Sequence, residues 1–511
     1  MPQFRVEYGD SVIPDGFFLR RGALPEPGAC YADGNGALFR HLSTFPDRST
    51  IKESVLDLLN GAKRHVLFCN FLLQDEEVIQ ALLTAAKRLH GHVYILTTLK
   101  ADDFVQGGET GDDVDGDFES HIRCVKQLTQ QGLLVKARSD CHAKFMTIDD
   151  TEAIVTSANA VPTCYGNVAK SGGGVRGANP ENGVLVHIPS EVNRLANFFR
   201  AIWRSGCNYY VSPDSSIFEV QQIKSGILPV NPLEPAHPAG EGEILWTAPG
   251  DLRLLGRILG MVREARDRLS LSTWVIKGMD AHELGETLRL AAARGVNCQI
   301  VVRGMNWRED HRRQCYLLAR SLGSQLTILG DYWNHSKAVV ADHEEALVLT
   351  GNLDAQHGLD HGVEIGFCSR EASFVAAVTA FLERLANDAA FEFVADPTQA
   401  TVADRYGRHH GQRLEGPIRV RFQATPTNID LVRRWCDAAR KELVRVSSRQ
   451  SRGREELVLL TNDMAIFGIA TGQGDITAHA VRDRLPAEDL KRFDGYLGRG
   501  TVICDVAGER R

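Results

Sequence analysis

Apolar residues recur at helix and strand spacings in the same order in two stretches of the chain. Near residues 51 and 254, apolar residues three and four apart predict a helix that leads into a short apolar strand. The strands are His65–Phe71 in the first stretch and Leu269–Val275 in the second. A second helix, a second strand and a third helix then follow in both. The repeated order predicts an internal duplication of an α/β unit.

The remaining predicted elements of the two stretches correspond one to one. The second helices are Glu77–Arg88 and Glu283–Arg294, the second strands are Val93–Leu96 and Gln299–Val302, the third helices cover residues 118–131 and 308–322, and the closing helices are Glu191–Trp203 and Glu371–Ala386. Helices that alternate with short β-branched strands are typical of central sheets flanked by helices. The hydrophobic pattern therefore predicts the α/β class without reference to any polar residue.

One short polar pattern occurs twice within this apolar alternation. The first copy is His142-Ala143-Lys144, then Asp149, then Thr156-Ser157-Ala158-Asn159. The second copy is His335-Ser336-Lys337, then Asp342, then Leu349-Thr350-Gly351-Asn352, at the same offsets. A lone His-x-Lys is usually a surface strand with two polar residues. Two copies at matching offsets favour a catalytic role instead.

The pattern resembles the HxK(x)4D(x)6GSxN signature of the phospholipase D superfamily, whose members cleave phosphodiesters through a phosphohistidine. The resemblance covers roughly residues 50–390. It implies two tandem phospholipase D-like α/β/α sandwich domains related by pseudo-twofold symmetry. After residue 397, strand-like runs and a helical stretch predict a small C-terminal α+β accessory domain. Both motifs, at residues 142–159 and 335–352, would contribute to one composite site, which can form within a monomer.

The chain of 511 residues is long enough for two or three domains. We predict a first phospholipase D-like domain over residues 1–212 and a second over residues 244–396. The proline-rich residues 213–243 predict a linker between them. Residues 397–511 contain no third motif and form the predicted accessory domain, a candidate for nucleic-acid binding.

Cleavage of a phosphodiester requires a nucleophile, a proton for the leaving oxygen and donors for the charged phosphate oxygens. The two motifs supply candidates for all of these roles. They are His142, His335, Lys144, Lys337, Asn159 and Asn352. The resemblance implies that His142 is the nucleophile and His335 the general acid, an order that the residues alone leave open. The scheme requires no cofactor and no metal.

The resemblance also implies residues that support this chemistry. An orienting glutamate usually follows each motif, and Glu181 and Glu364 are the candidates. The other supporting residues are Asp149, Asp342, Ser157 and Thr350. Three positions depart from the signature, because Thr156 and Leu349 replace the usual glycine and Thr350 replaces the usual serine. The first half also has a ten-residue, glycine-rich insertion before its glutamate, which contains Lys170 and Arg176.

Composition narrows the setting in which this chemistry would occur. The net charge is −7, with 43% apolar and 24% charged residues, as in ordinary globular proteins. The first residues lack the apolar core of a secretion signal, and no run of about 18 apolar residues predicts a membrane helix. The eleven cysteines are scattered, which favours reduced thiols. We therefore expect a cytoplasmic protein.

Two charged segments and one histidine group have simple explanations. Residues 101–119 are acidic and predict a solvated loop. Residues 411–456 carry eleven basic and six acidic residues, a net charge of +5, which suits contact with a phosphate backbone and equally suits a solvated helix face. The histidines after the second motif lack the regular spacing of a zinc site. They are His343, His357 and His361.

The leading hypothesis from the sequence is a cytosolic nuclease that cleaves DNA or RNA, with a place in genome maintenance or phage defence. Nucleic acid is the expected partner. The alternative is a phospholipase D or phosphatidyltransferase at the inner membrane surface, with a phospholipid as partner. A second alternative is a nucleic-acid-binding scaffold that has lost its catalytic function.

Overall fold

The computed structural model describes residues 16–21, 38–99, 118–166, 170–171, 174–175, 178–213, 220–224, 242–306, 308–355, 358–397, 401, 443–451, 454–461, 466–472 and 501–502. Several predicted features lie mainly outside these residues. They are the acidic segment 101–119, the glycine-rich insertion, the linker 213–243, His357 and most of the basic segment 411–456.

The first half alternates strands and helices as its hydrophobic pattern predicts. Its strands are β1 (Gly16–Arg20), β2 (Phe39–Phe45), β3 (Arg48–Ser49), β4 (Val66–Cys69), β5 (Val93–Thr97), β6 (Leu134–Ala137), β7 (Phe145–Ile148), β8 (Glu152–Thr156), β9 (Lys170–Ser171), β10 (Gly174–Val175), β11 (Glu181–Val186), β12 (Tyr209–Val211) and β13 (Val220–Gln222). Its helices are α1 (Thr50–Gly61), α2 (Glu76–Arg88), α3 (Phe118–Gln130) and α4 (Pro189–Ala201), which continues into a π-helical turn at Ile202–Gly206.

The second half repeats this succession. Its strands are β14 (Glu243–Ala248), β15 (Asp251–Leu252), β16 (Arg268–Ser272), β17 (Ile276–Lys277), β18 (Asn297–Arg303), β19 (Leu326–Asp331), β20 (Ala338–Ala341), β21 (Glu345–Leu349), β22 (Leu353–Asp354), β23 (Glu364–Ser369) and β24 (Phe391–Ala395). Its helices are α5 (Arg253–Glu264), α6 (Glu283–Ala293), α7 (Glu309–Leu322) and α8 (Ala372–Asp388).

The two halves form ten-stranded sheets with the same strand order. The first sheet runs β13-β12-β6-β5-β4-β7-β8-β11-β2-β3, and the second runs β1-β24-β19-β18-β16-β20-β21-β23-β14-β15. In each sheet three consecutive strands are parallel, β4 to β6 in the first and β16, β18 and β19 in the second. The predicted α/β class is confirmed, and the matching order supports the internal duplication.

Strand β1 departs from the predicted domain boundaries. It comes from the N-terminus, but it pairs antiparallel with β24, so that Gly16 lies opposite Ala395 and Arg20 opposite Phe391. It thereby occupies in the second sheet the place that β13 occupies in the first. The prediction assigned residues 1–212 to one domain and therefore did not place β1 in the second sheet. The sequence of an apolar strand does not reveal which sheet edge the strand joins.

Three hydrophobic clusters hold the layers together. Helices α1 to α3 pack on the outer face of the first sheet, and α5 to α7 pack on the outer face of the second. The third cluster combines residues of both halves, with α4 and α8 between the sheets. In it the Phe39 ring lies 4.9 Å from the Phe367 ring and 5.5 Å from the Phe374 ring. Aromatic pairs of this kind add about 1 kcal/mol each beyond their burial. Because this cluster contains residues of both sheets, the halves share one apolar core.

Helix α2 illustrates how local sequence sets an element's ends. The Asp75 side chain accepts a hydrogen bond from the Val78 backbone N–H at 3.1 Å and caps the first turn. Acidic Glu76 and Glu77 follow in that turn, and the basic residues come in the last turn, an arrangement that complements the helix dipole.

The described part of the C-terminal region contains four strands in one antiparallel sheet. They are β25 (Leu443–Ser451), β26 (Arg454–Thr461), β27 (Ile466–Gly472) and β28 (Thr501–Val502), in that order. Among the described helices, none combines the length and the hydropathy that crossing a membrane requires.

Candidate active site

The two motif segments meet where the halves adjoin. The His142 backbone N–H donates to the Val363 carbonyl at 3.1 Å, and the His335 backbone N–H donates to the Pro180 carbonyl at 3.2 Å. Each histidine is therefore bonded to the segment just before the glutamate strand of the other half. These backbone contacts bring Glu181 and Glu364 towards the histidine of the opposite motif.

The imidazoles and the glutamates pair crosswise. His142 Nδ1 lies 2.8 Å from Glu364 Oε1, and His335 Nδ1 lies 2.6 Å from Glu181 Oε1. Because a carboxylate can only accept, Nδ1–H is the donor in both pairs, and Nε2 of each ring points away from the carboxylate. The sequence named both glutamates, but it did not indicate that each one serves the histidine of the other half.

Each glutamate is also held at its second oxygen by its own half. The Ser157 hydroxyl donates to Glu181 Oε2, and the Thr350 hydroxyl donates to Glu364 Oε2. The replacement of serine by threonine in the second motif keeps this contact, because the hydroxyl is retained. Both carboxylates are fully buried. Contacts at both oxygens leave each glutamate little freedom to rotate, so the imidazole orientation is defined.

The two motif lysines are buried beside the histidines. Lys144 Nζ donates to the His142 carbonyl, and Lys337 Nζ donates to the His335 carbonyl, both at 2.7 Å. Lys337 Nζ also lies 3.0 Å from His335 Nε2. Ammonium groups shielded from water attract an anion more strongly than exposed ones do. The pair is thus suited to hold a phosphate.

The motif asparagines carry amide atoms that the protein itself does not satisfy. Asn159 is fully buried, and within the described part of the chain neither its Nδ2 nor its Oδ1 has a hydrogen-bond partner. The Oδ1 of Asn352 is in the same situation. An unsatisfied buried amide costs about 1–3 kcal/mol, and such groups in native proteins call for a specific reason. A ligand that supplies the missing partners is one such reason.

The motif aspartates bind backbone and not the histidines. Asp149 accepts the N–H groups of Lys63, Arg64 and His65 at 2.7–2.9 Å. Partial burial opposes its charged form, but these three donors outweigh that effect and lower the pKa of the Asp149 carboxyl. The carboxylate ties the β7–β8 turn to the segment between α1 and β4.

Asp342 repeats this arrangement in the second half. It accepts the N–H groups of Arg266, Asp267 and Arg268 at 2.8–2.9 Å, and its pKa is lowered for the same reasons. Both aspartates have positive φ angles, 55° for Asp149 and 51° for Asp342, within tight turns. Each carboxylate thus fixes the turn after its motif strand against the segment that precedes β4 or β16.

An aromatic residue that was not predicted from the sequence lies beside each histidine. The Phe71 ring lies 4.8 Å from the His142 ring, and the Trp274 ring lies 6.1 Å from the His335 ring. Each follows its strand, β4 or β16, at the same position, and this recurrence was the available signal. The rings form apolar contacts to the imidazoles and shield them from water.

A second missed pair is His121 on α3 and His311 on α7. His121 Nδ1 accepts the Leu73 N–H at 3.1 Å, and His311 Nδ1 accepts the Ile276 N–H at 3.1 Å. Burial lowers the pKa of each to about 4, although their backbone hydrogen bonds act in the opposite direction. These neutral histidines fix the loops that carry Phe71 and Trp274.

One cluster in the described part has the composition of a metal site. Ligand atoms of Cys164, Glu181 and His335 lie within 4.8 Å of one another, and all three residues are buried. Glu181 and His335 are already hydrogen-bonded to each other, and Glu181 also accepts from Ser157. The crosswise network therefore accounts for two of the three members without an ion.

Comparisons with known proteins agree with this architecture. Residues 55–203 match a family model described as "Cardiolipin synthase, PLD-like domain". The phosphatidylserine synthase of Haemophilus influenzae Rd KW20 has a similar structure, with a TM-score of 0.50 and 12% identity over 72% of this chain and 94% of that one. No curated protein sequence matches the chain.

Two further solved structures are more distant. Nuc from Salmonella typhimurium, a phospholipase D family member, matches 30% of this chain and 97% of its own, with 14% identity and a TM-score of 0.26. The polyphosphate kinase of Porphyromonas gingivalis matches 68% of this chain at 14% identity with a TM-score of 0.42, and this chain spans only 50% of that kinase.

Residues 55–203 thus match a phospholipase D-like domain, and the fold of the chain resembles that of a phosphatidylserine synthase.

Proposed function

We propose that the protein is a metal-independent phosphodiesterase that acts through a covalent phosphohistidine, and that its substrate is nucleic acid. The observation that carries the proposal is the crosswise pairing of His142 with Glu364 and of His335 with Glu181. It gives two oriented imidazoles, and a two-step displacement at phosphorus requires two such groups.

In the first step, His142 Nε2 attacks phosphorus, so that a P–N bond forms and the P–O bond to the leaving group breaks. The leaving oxygen takes a proton from His335. The Nε2 atom of His335 lies 3.0 Å from Lys337 Nζ. In the second step, water attacks phosphorus, His335 takes its proton and His142 is released. This order is supported by exposure, because the His142 side chain is 16% exposed and that of His335 is fully buried.

The charge that develops on the phosphate oxygens would be stabilised by preformed donors. Lys144 and Lys337 supply two buried ammonium groups. The side-chain amides of Asn159 and Asn352 supply N–H donors. In the described part of the chain, Asn159 Nδ2 has no hydrogen-bond partner that would have to be given up, and the Oδ1 atoms of both residues also lack one. Donors that are already oriented cost no reorganisation during the reaction.

Nucleic acid is proposed as the substrate on charge and surface grounds. Residues 411–456 are locally basic, which suits phosphate-backbone contact. In the described part, the exposed large apolar residues are scattered along the chain and do not belong to one amphipathic helix of the kind that inserts into membranes. They are Leu38, Leu252, Leu290 and Tyr332. A cytoplasmic role in genome maintenance or phage defence fits this proposal.

The second candidate is a phosphatidyltransferase or phospholipase D. It is favoured by the description of the matched family model and by the structural similarity to a phosphatidylserine synthase. The same imidazoles would then transfer a phosphatidyl group to an alcohol or to water. The chemistry at phosphorus is shared, and only the groups on either side of the phosphate differ.

The test is to incubate the full chain in EDTA with single-stranded DNA, double-stranded DNA, RNA and phosphatidylcholine vesicles. His142→Ala and His335→Ala should each lower nucleic-acid cleavage at least about 10³-fold. His187→Ala is the matched control, since its partly exposed ring pairs with Glu152 away from the motifs. Because the P–N bond of phosphohistidine hydrolyses in acid, the intermediate is trapped at neutral or alkaline pH and located by mass spectrometry.

Turnover of lipid without cleavage of nucleic acid would overturn the proposed substrate and support the second candidate. Binding of nucleic acid without cleavage would support a scaffold without catalysis. A phosphohistidine at residue 335 and not at residue 142 would reverse the proposed order of the two imidazoles.

A further inference from the structure

The two walls of the site differ at equivalent positions of the duplicated sheets. Cys69 pairs with Leu96 and Ser272 pairs with Val301, so Thr98 and Arg303 are equivalent positions in the two halves. The residues three and two positions before each motif histidine are also equivalent. They are Ser139 and Asp140 in the first half, and Tyr332 and Trp333 in the second.

The second half therefore carries one arginine and two aromatic rings where the first half carries three small or acidic polar residues. We call Arg303, Tyr332 and Trp333 the aromatic wall. Arg303 Nε donates to the Tyr332 carbonyl at 3.2 Å, and the Arg303 guanidinium carbon lies 5.2 Å from the Trp333 ring centre. These contacts join the three residues into one unit.

The aromatic wall is held in place by its surroundings. The Tyr332 hydroxyl accepts a hydrogen bond from Arg20 at 3.3 Å, and its ring lies edge-on to Phe391 at 4.6 Å. Tyr332 nevertheless remains 40% exposed. The carboxylate of Asp331 accepts the Trp333 backbone N–H at 2.7 Å. These contacts already restrict the two aromatic side chains, which therefore lose little conformational freedom when a ligand stacks on them.

The wall continues inwards to the reacting group. The Trp274 ring, 6.1 Å from the His335 ring, lies beneath the Arg308 guanidinium at 4.9 Å. Trp274 is 1% exposed, and its indole N–H has no hydrogen-bond partner in the described part of the chain. A buried donor without a partner beside the histidine points to a ligand that accepts from it.

The first half has a different chemistry at the same place. Asp140 is engaged by Arg138 at 2.8 Å, and the Ser139 backbone N–H donates to the Asn208 side chain at 3.1 Å. This side thus presents an ion pair and a small hydroxyl. It has no ring at either of the two positions.

We propose that the aromatic wall binds a nucleobase next to the scissile phosphate, on the His335 side, by stacking on Tyr332 and Trp333. The proposal rests on the proposed nucleic-acid substrate. Stacking on aromatic side chains is sequence-tolerant, and arginine planes add to it. The site would then favour one direction of a single strand, because only this wall has rings at the two positions before the motif histidine.

The position of Arg303 disfavours a positively charged ligand at the aromatic wall. Aromatic cages bind quaternary ammonium groups through the negative faces of their rings. Here the Arg303 guanidinium already lies over Trp333, and Arg308 lies over Trp274. A choline headgroup would meet these like charges, whereas a neutral base attached to a phosphate would be attracted by them.

The test compares an intact single-stranded oligonucleotide with one of equal length whose bases next to the scissile phosphate are removed. Dissociation constants are measured in EDTA with the full chain carrying His142→Ala, so that no cleavage occurs. Trp333→Ala and Tyr332→Ala should each weaken binding of the intact strand about 5- to 100-fold. Binding of the base-free strand should change less than twofold.

Matched controls separate stacking from folding. His187→Ala, whose partly exposed ring pairs with Glu152 away from both walls, should leave both strands unaffected. Trp333→Phe keeps a ring and should restore most of the affinity for the intact strand. A purely structural role would weaken both strands equally, and that result would overturn the inference, as would an unchanged affinity for the intact strand.

The outcomes also separate this inference from the proposed function. If the wild-type chain neither binds nor cleaves DNA or RNA, the nucleic-acid substrate is wrong, and the wall has no base to bind. If the wild-type chain cleaves nucleic acid but the alanine variants do not distinguish the two strands, the substrate stands and the wall is not a stacking site. Loss of phosphatidylcholine turnover alone in Trp333→Ala would assign the wall to a headgroup and overturn the inference.

Discussion

The two halves of the candidate site share their hydrogen-bond network and differ in their walls. In each half a motif histidine is bonded to the other half's glutamate, and the glutamate is bonded to a hydroxyl of its own half. Yet the residues before the histidines are Ser139 and Asp140 on one side and Tyr332 and Trp333 on the other. Under the proposed function, the symmetric network supplies the two similar imidazoles that the reaction needs, and the different walls suit an asymmetric substrate.

Loop lengths show the same division. The strands, helices and buried clusters of the two halves correspond, but residues 98–117 separate β5 from α3, whereas only residues 304–308 separate β18 from α7. The described strands and helices of the two halves therefore correspond more closely than the lengths of chain between them do.

The largest expected effect would come from breaking the crosswise pairs. Glu181→Gln and Glu364→Gln should each lower kcat about 10³-fold, because an uncharged partner no longer stabilises the imidazolium or selects its tautomer. Steady-state kinetics on the same oligonucleotide measure both variants. Glu345→Gln is the control, since this buried glutamate pairs with Arg257 and Arg370 away from the motifs. A wild-type rate in one of the two variants would show that the crosswise pairs are not equivalent.

The next effect concerns the unsatisfied amides. Asn159→Leu and Asn352→Leu should lower kcat about 10²-fold by removing a donor to the phosphate. They should leave Tm unchanged or raised, because a buried amide with unpaired atoms is lost. Thermal unfolding is measured alongside the kinetics.

Asn70→Leu provides the contrast for these variants. The Asn70 side chain accepts from Ala160 at 3.0 Å and donates to Ala158 at 3.4 Å, so its loss should lower Tm. If Asn159→Leu lowered Tm as much as Asn70→Leu, the amide of Asn159 would have structural partners after all.

A smaller effect is expected at the motif aspartates. Asp149→Asn and Asp342→Asn should each destabilise the fold by about 2 kcal/mol, since each removes the charge that three backbone N–H groups contact. Turnover by the folded fraction should persist, because neither carboxylate bonds a motif histidine. Urea unfolding measures the loss. His343→Asn, one residue later in the turn at a φ of 57°, should be neutral.

The last effect is a pH dependence of stability that both halves share. The pKa values of His121 and His311 are lowered to about 4, and that of His41 to about 3, so these groups stay neutral in the folded chain while the unfolded chain binds protons below about pH 6.5. Stability is therefore fully present above pH 6.5 and declines as pH falls from there towards 4, by about 1 kcal/mol per pH unit for each histidine.

Asp331 opposes this trend. Burial raises its pKa to about 6, so it binds a proton in the folded chain first and adds stability as pH falls through 6. Three groups against one leave a net loss on acidification. His121→Gln and His311→Gln should each flatten the plot of unfolding free energy against pH between 6.5 and 4 by the same amount, and an unchanged slope in either variant would contradict the assignment.

Local pattern was sufficient for much of the fold and for part of the site. The helices and strands around both motifs were predictable because their apolar spacing depends on near neighbours. Glu181 and Glu364 were predictable as candidates. Phe71 and Trp274 were missed, because their recurrence at one position is visible only when the two halves are aligned. His121 and His311 were missed because they lie on helices far from the motifs in sequence.

The sequence by itself determined the α/β class, the duplication of the motif and the residue types that phosphorus chemistry needs. The tertiary structure alone decided which residues meet. His142 and Glu364 are 222 positions apart, and His335 and Glu181 are 154 apart, so no local pattern links them. Their pairing, like the entry of β1 into the second sheet and the aromatic wall on one side only, follows from how the two sheets pack around their shared core.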